Sequence, residues 1–376
     1  MRNEVNMEEP IRVLHVLQRM EAAGVQTLLM SIYRNVDRTK IQFDFLVHYK
    51  EDQFFDKEIE SLGGHVYKLS VREDHNLPKY LRELSIFFKE HPEYKIVHGH
   101  MPILGYFYLH AAYKAGVPVR IAHAHTDRHY NNLKGYIATL MKSLYPIYAN
   151  NYFACSDSAG RYFFKGRKYT VVKNAIMTEK FAYSEEVRKN IRSGLNLEGK
   201  FVIGHAARFA EHKNHTFLID VFAEVLKIRP DSVLLLIGDG ELKTGIQNKV
   251  NGLGIGEHVR FMGVRPDVNE LYQAMDAFVF PSIFEGLGIV NIEAQASGVL
   301  TFCSDAVPNE ANISPVFHSI PLTKSASEWA KIIVKTYENS TYRREDMSQY
   351  VIDGGYDIKD LATKLQHFYL DQEASH

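Results

Sequence analysis

The strongest chemical pattern lies in Phe280-Pro-Ser-Ile-Phe-Glu285-Gly-Leu-Gly-Ile-Val-Asn-Ile-Glu293-Ala. The apolar run ending at Pro281 reads as a strand, and a turn carrying Gly286 and Gly288 leads into a helix. Glycines there let the backbone approach a ligand closely. Amides at the helix start, from Gly286 through Leu287, Gly288 and Ile289 to Val290, are free to hold a phosphate. Glu285 falls in the turn and Glu293 in the helix behind it, where a carboxylate can accept hydrogen bonds from ribose hydroxyls. A tight strand-to-helix turn with an acidic cap would explain one glutamate. Two glutamates around a Gly-x-Gly turn favour a binding site.

A second constellation, Ala207-Arg208-Phe-Ala-Glu-His-Lys213-Asn214, follows the run Phe201–Ala206. Arg208 and Lys213 at a strand end could clamp a diphosphate and neutralise the charge that grows as it leaves. In the N-terminal half, Met20-Glu-Ala-Ala-Gly24-Val-Gln-Thr27 is a small-residue turn between the first strand and the first helix. Histidines gather as His98-Gly-His100 and His123-Ala-His125, with His129 beyond. Alternation puts both members of each pair on one sheet face. With Asp127 they could hold zinc. No Cys or Glu stands at metal-ligand spacing, so the preferred reading is one ligand-facing histidine per pair, the others packed or hydrogen-bonded, and no metal.

These residues need a scaffold, and the sequence supplies one. Near-continuous apolar runs begin at Ile11, Ile41, Lys95, Val119, Tyr152, Phe201, Ser232, His258, Asp276 and Val299, with helical patterns between them. Such runs mark buried parallel strands. Asn214–Ile228 has helical spacing of apolar residues, and Pro230 ends it. Two blocks emerge, separated by a charged, strand-poor segment over Tyr183–Asn196. The expected fold is α/β: two doubly wound parallel-sheet domains, 1–180 and 181–355, facing across a cleft where ligands bind at the carboxyl ends of the strands. A helix over 356–376 is expected to cross back to the first domain.

Composition narrows the class. The chain has 376 residues, 44 Lys+Arg against 45 Asp+Glu, which excludes a generally basic nucleic-acid coat. Two cysteines cannot build a disulfide framework, so a reducing cytoplasm is expected. The acidic start MRNEVNMEEP is no signal peptide, and no run is long enough to span a membrane. Charge is nevertheless uneven: Ala112–Ala182 holds eleven Lys/Arg and three Asp/Glu. Tyr130, Tyr136, Tyr145, Tyr148, Tyr152, Tyr162, Phe163 and Phe164 lie in the same stretch. Basic residues with interfacial aromatics would suit peripheral contact with an anionic membrane, and solvated helix faces are the alternative.

Taken together, the motifs resemble the GT4-type retaining glycosyltransferases of GT-B architecture, over nearly the whole chain. Glu285 and Glu293, with seven residues between them, look like the family's E-x7-E motif, and Arg208 and Lys213 like its Arg/Lys pair. Gly238-Asp239-Gly240 is similar to its Gly-x-Gly segment, and Val264-Arg265 stand where its nucleobase pocket lies. Gly24 matches the second glycine of its Gly-Gly loop, His125 its cleft histidine, and Ser156 and Asn174 the ends of the last two N-domain strands. The subgroup most resembled makes bacterial exopolysaccharide and capsule. Departures occur at Ala23, Gln26, Lys173 and Val299-Leu300, and these bear on the acceptor more than on catalysis.

The resemblance implies a nucleotide-sugar donor, UDP-sugar favoured, a lipid-linked saccharide acceptor and no metal requirement. Arg208 and Lys213 would stabilise the leaving diphosphate, Glu293 bind ribose, Glu285 hold donor-sugar hydroxyls and His125 touch the sugar. Two rivals differ in what they would do. A nucleotide-sugar epimerase would convert the donor without an acceptor. A histidine-based metal hydrolase would contain stoichiometric zinc.

Overall fold

The computed structural model describes residues 9–125, 141, 143–339 and 343–375. It divides into two units, Met1–Ala175 with Ile358–His376, and Ile176–Asp357.

The first unit is built on a seven-stranded, wholly parallel sheet. Its strands are β1 Ile11–Val16, β2 Ile41–Val47, β3 Val66–Lys68, β4 Ile96–Gly99, β5 Val119–Ala124, β6 Asn151–Ala154 and β7 Thr170–Val171, in the order β3-β2-β1-β4-β5-β6-β7. Helices α1 (Gly24–Asn35), α2 (Leu77–Glu90) and α3 (Pro102–Lys114) connect strands. In α2, the Asn76 side chain accepts the Lys79 N–H at 3.0 Å and Pro78 fixes the first turn. Tyr80, Leu84, Phe87 and Phe88 then fall on one buried face at helical spacing. The C-terminal helix, Ile358–Ala374, packs on α1, β1 and β2 and buries Tyr369 completely.

The second unit carries six parallel strands, β8 Phe201–Ala206, β9 Ser232–Ile237, β10 Val259–Gly263, β11 Ala277–Phe280, β12 Leu300–Ser304 and β13 Phe317–Ile320, in the order β10-β9-β8-β11-β12-β13. Its helices include α4 (Glu185–Gly194), α5 (His215–Ile228), α6 (Val268–Ala274), α7 (Ile289–Ala296) and α8 (Ala326–Asn339). Both units are doubly wound, as the alternation of apolar runs and helical patterns predicts.

The differences from expectation have physical causes. Three strands that left no apolar run, β3, β7 and β13, are sheet edges of two to four residues; of these only β7 was expected, from the resemblance that sets Asn174 at a strand end. The charged Tyr183–Asn196 segment contains α4, which buries no apolar side chain and is anchored electrostatically. Arg188 and Arg192 reach Asp276 at 2.5 and 3.1 Å, and Asp276 also accepts the Val202 N–H at 2.8 Å. The first boundary lies at Ala175, ahead of residue 180. The turn Thr178–Phe181 packs on α6 and α7, and Gln273 donates to the Phe181 carbonyl at 3.2 Å.

Among the described residues, the aromatics expected at a membrane surface are buried or half-buried against the core. Tyr145, Phe163 and Phe164 are buried, and Tyr148, Tyr152 and Tyr162 pack against them. Tyr130 and Tyr136 lie outside the described residues. No helix among the described residues is long and apolar enough to cross a membrane.

Asp276→Ala would remove the carboxylate that Arg188 and Arg192 share and leave them only backbone carbonyls as partners. The expected loss is about 3 kcal/mol of stability, read as a lowered midpoint in denaturant unfolding of the full chain.

Candidate active site

In the second unit, β8 and β11 are neighbours, so the loops that follow them, 207–214 and 281–288, run side by side. Two hydrogen bonds stitch them together. The Ile283 N–H donates to the His212 carbonyl at 2.8 Å, and Asn214 Nδ2 donates to the Pro281 carbonyl at 3.0 Å. Ser282 Oγ lies 3.1 Å from the same His212 carbonyl. Asn214 takes a left-handed conformation, φ 56°, to close the loop into α5, a geometry Asn tolerates better than most residues.

Across this seam Lys213 Nζ pairs with Glu285 Oε1. Ser282 Oγ donates to the same oxygen at 2.6 Å, and the Lys213 ammonium lies 5.1 Å from the Phe280 ring centroid. The lysine side chain is 17% exposed and the glutamate 8%. Both donors converge on Oε1.

Around this pair the expected residues are placed as follows. Gly288 caps α7 with φ 72°, and a Cβ there would come within 2.9 Å of both Asn291 and Phe280. The turn Gly286-Leu287 precedes it. The first-turn amides of Ile289 and Val290 have no intrahelical partner, and α7 has neither a side-chain cap nor an acidic residue in its first turn. Its positive end is therefore uncompensated. Gly238 lets the end of β9 pass beneath the Arg208 loop, since a Cβ would meet the Ala207 carbonyl at 2.1 Å. Gly240 follows, its N–H on Asp239 Oδ1 at 2.7 Å. Val264 is 79% exposed beyond β10, and Arg265 pairs with Asp267 at 2.5 Å. The exposed guanidinium of Arg208 pairs with Glu241 at 3.2 Å.

Glu293 lies one turn into α7. Its Oε2 accepts from Tyr272 Oη at 3.0 Å. Desolvation pushes its carboxyl up to about 7, against the opposing effect of that hydrogen bond.

The remaining expected residues belong to the first unit. Gly24 opens α1 with no protein atom within 4 Å of where a Cβ would stand. It sits beside a pocket of about 210 Å³ lined by Gln18, Val25, Gln26, His100 and Met101. His125 pairs with His100 at 2.8 Å. Burial holds both rings neutral, His125 at about 4 and His100 well below its ordinary value. Thr126, Asp127 and His129 lie outside the described residues.

Sequence reading missed Ser282, Tyr272 and His15. Ser282 had a signal, three residues before Glu285 in the same motif. Tyr272, on a separate helix, and His15, far upstream on β1, had none.

Comparison with known proteins fits this geometry. Residues 187–354 match the profile of glycosyl transferases group 1. The provisionally named glycosyltransferase EpsF of Bacillus subtilis (strain 168) is 31% identical over 368 residues, covering 95% of this chain and 96% of EpsF. An Escherichia coli UDP-Gal:α-D-GlcNAc-diphosphoundecaprenol α-1,3-galactosyltransferase is 22% identical over 96% of this chain and 97% of its own. Among solved structures, Anabaena Alr3699/HepE in complex with UDP and glucose superposes with a TM-score of 0.76 at 18% identity, covering 96% of this chain and 99% of that one.

The raised Glu293 carboxyl makes a stability prediction with a definite sign. Ionising it costs nothing below its ordinary value of 4.5 and the full penalty above about 7. Glu293→Gln should therefore match the parent in thermal midpoint at pH 4 and exceed it at pH 8, where the stability difference is on the order of 1 kcal/mol. Equal midpoints at both pH values would contradict the shift.

Proposed function

The chain belongs to the group 1 glycosyltransferases, and from that premise we propose that it is a retaining enzyme moving a sugar from a UDP-sugar to a saccharide carried on a lipid diphosphate. The product would be an intermediate of surface polysaccharide, exopolysaccharide or capsule. The observation that carries this reading is the Lys213–Glu285 pair beside the uncapped start of α7.

The donor's diphosphate would lie on the amides of Gly286 to Val290, next to Lys213. Arg208 would join it, since an exposed pair such as Arg208–Glu241 is worth little and is readily exchanged. Glu293 would accept from ribose hydroxyls, with Val264 and Arg265 flanking the base. Glu285 Oε2 would accept from a donor-sugar hydroxyl while Oε1 stays with Lys213 and Ser282. The bond from the anomeric carbon to the diphosphate breaks as the acceptor oxygen bonds to that carbon on the same face. The acceptor proton passes to the departing phosphate. Positive charge for the leaving group comes from Lys213, Arg208 and backbone amides, so this chemistry requires no metal. The relatives that bind UDP or act on a diphosphoundecaprenol acceptor support the choice of substrates.

Calorimetric titration with UDP and then GDP, in EDTA, tests this. Saturable one-site UDP binding, tighter than GDP, is expected; binding of neither would contradict it.

A further inference from the structure

Tyr272 lies on α6 and is completely buried. Its ring packs on Phe278 of β11 at 5.6 Å between centroids and on Phe181 at 5.9 Å, in tilted and edge-on contact. Arg344 fixes the helix that carries it. The guanidinium donates to the carbonyls of Tyr272 at 2.9 Å, Gln273 at 2.8 Å and Met275 at 2.7 Å, at the end of α6. It also donates to the Ser297 carbonyl at 2.8 Å, at the end of α7. This ties the carboxyl ends of the two helices together, with the tyrosine ring held by its aromatic neighbours.

The Tyr272 hydroxyl has one proton and two acceptors at 3.0 Å, Glu293 Oε2 and the Val290 carbonyl. The Val290 carbonyl belongs to the first turn of α7, where a helical carbonyl already accepts from the N–H four residues on. Among the described residues, Tyr272 is the single hydrogen-bond donor to the Glu293 carboxylate. A bond to an ionised acceptor is roughly twice as strong as one between neutral groups, so the proton goes to Glu293 whenever the carboxylate is charged. That bond favours the charged form against desolvation. It occupies one of the about four lone-pair directions of a carboxylate, which leaves Glu293 able to accept from further hydroxyls.

We propose that Tyr272 is a positioning residue for nucleotide recognition, holding the Glu293 carboxylate turned so that it accepts from the donor's ribose hydroxyls and disfavours a nucleotide that lacks them. The inference rests on the reading of Glu293 as the ribose acceptor. A site that desolvates such an acceptor discriminates against an analogue without the matching hydroxyl, because the carboxylate is then left unpaired. Without the phenol O–H, Glu293 would stay desolvated and lose the donor that orients it. It would then rotate or take up a proton, and either change weakens its bonds to ribose. The selectivity of the site for ribose thus depends on a side chain that itself has no bond to the nucleotide.

The test measures the affinity of the full-length protein for UDP and for 2′,3′-dideoxy-UDP, which lacks whichever ribose hydroxyl is engaged. The parent should prefer UDP at least about tenfold. Tyr272→Phe, which keeps the ring and its packing, should cut that preference to about threefold or less, through weaker UDP binding with dideoxy-UDP binding unchanged. A purely structural effect would weaken both nucleotides alike, so an undiminished preference in Tyr272→Phe would overturn the proposal. A crystal structure of the unaltered protein with UDP gives a second arm that does not depend on how the variant folds. Glu293 should accept from Tyr272 and from ribose in the same complex, and a carboxylate turned away from Tyr272 there would overturn the proposal. A parent that binds UDP but does not distinguish the two nucleotides would overturn the ribose reading of Glu293 and this inference with it. A preference that survives Tyr272→Phe would overturn this inference alone.

Discussion

The ion pair between Lys213 and Glu285 is the constraint on which the second unit's site depends. It joins loops from two strands, β8 and β11, that are neighbours in space but more than seventy residues apart in sequence. Burying such a pair is weakly stabilising at best, because desolvation offsets the Coulomb attraction. Its value lies in position. It fixes a cation close to the turn that leads into α7 and engages one of the two carboxylate oxygens. Removing either partner alone would leave a charge with its counter-ion gone, next to the place where a diphosphate would add two more negative charges.

Sheet topology explains why the site forms there. In the order β10-β9-β8-β11-β12-β13, connections reverse direction between β8 and β11, and ligands of doubly wound sheets bind at that reversal. The first unit reverses between β1 and β4. The Gly24 turn, the small pocket and the histidine cluster all gather at that point. The two units thus share one architectural rule and fill it differently, one with charge and free amides, the other with neutral imidazoles. Local stability is given up at both places. Glu293 is held where its ionisation is costly, and the histidine cluster leaves polar atoms unmatched.

Much of this was legible in the sequence because it is local. The E-x7-E segment, the Arg208–Lys213 loop and ten of the strands are contiguous patterns, and backbone periodicity places them. What stayed hidden depends on tertiary proximity. Tyr272 meets Glu293 only through the packing of α6 on α7. His15 joins His98 only because β1 and β4 pair. The tyrosines and phenylalanines of the basic stretch could not be sorted into surface and core by composition, and Tyr145, Phe163 and Phe164 prove to be buried. Arg208 and Lys213 were grouped by spacing, and the partner that Arg208 has here, Glu241, lies outside that segment.

The central claim is that Lys213 and Glu285 act on the nucleotide as a pair. It is tested most directly by UDP affinity across Lys213→Met, Glu285→Gln and the double variant. If the pair is the organising element, Lys213→Met leaves an unpaired buried carboxylate beside the diphosphate only when Glu285 is present. Its loss of affinity should then be at least about tenfold larger in the parent than in the Glu285→Gln background, a coupling of roughly 1.4 kcal/mol. The same loss in both backgrounds would show that the two residues act independently and would contradict the account.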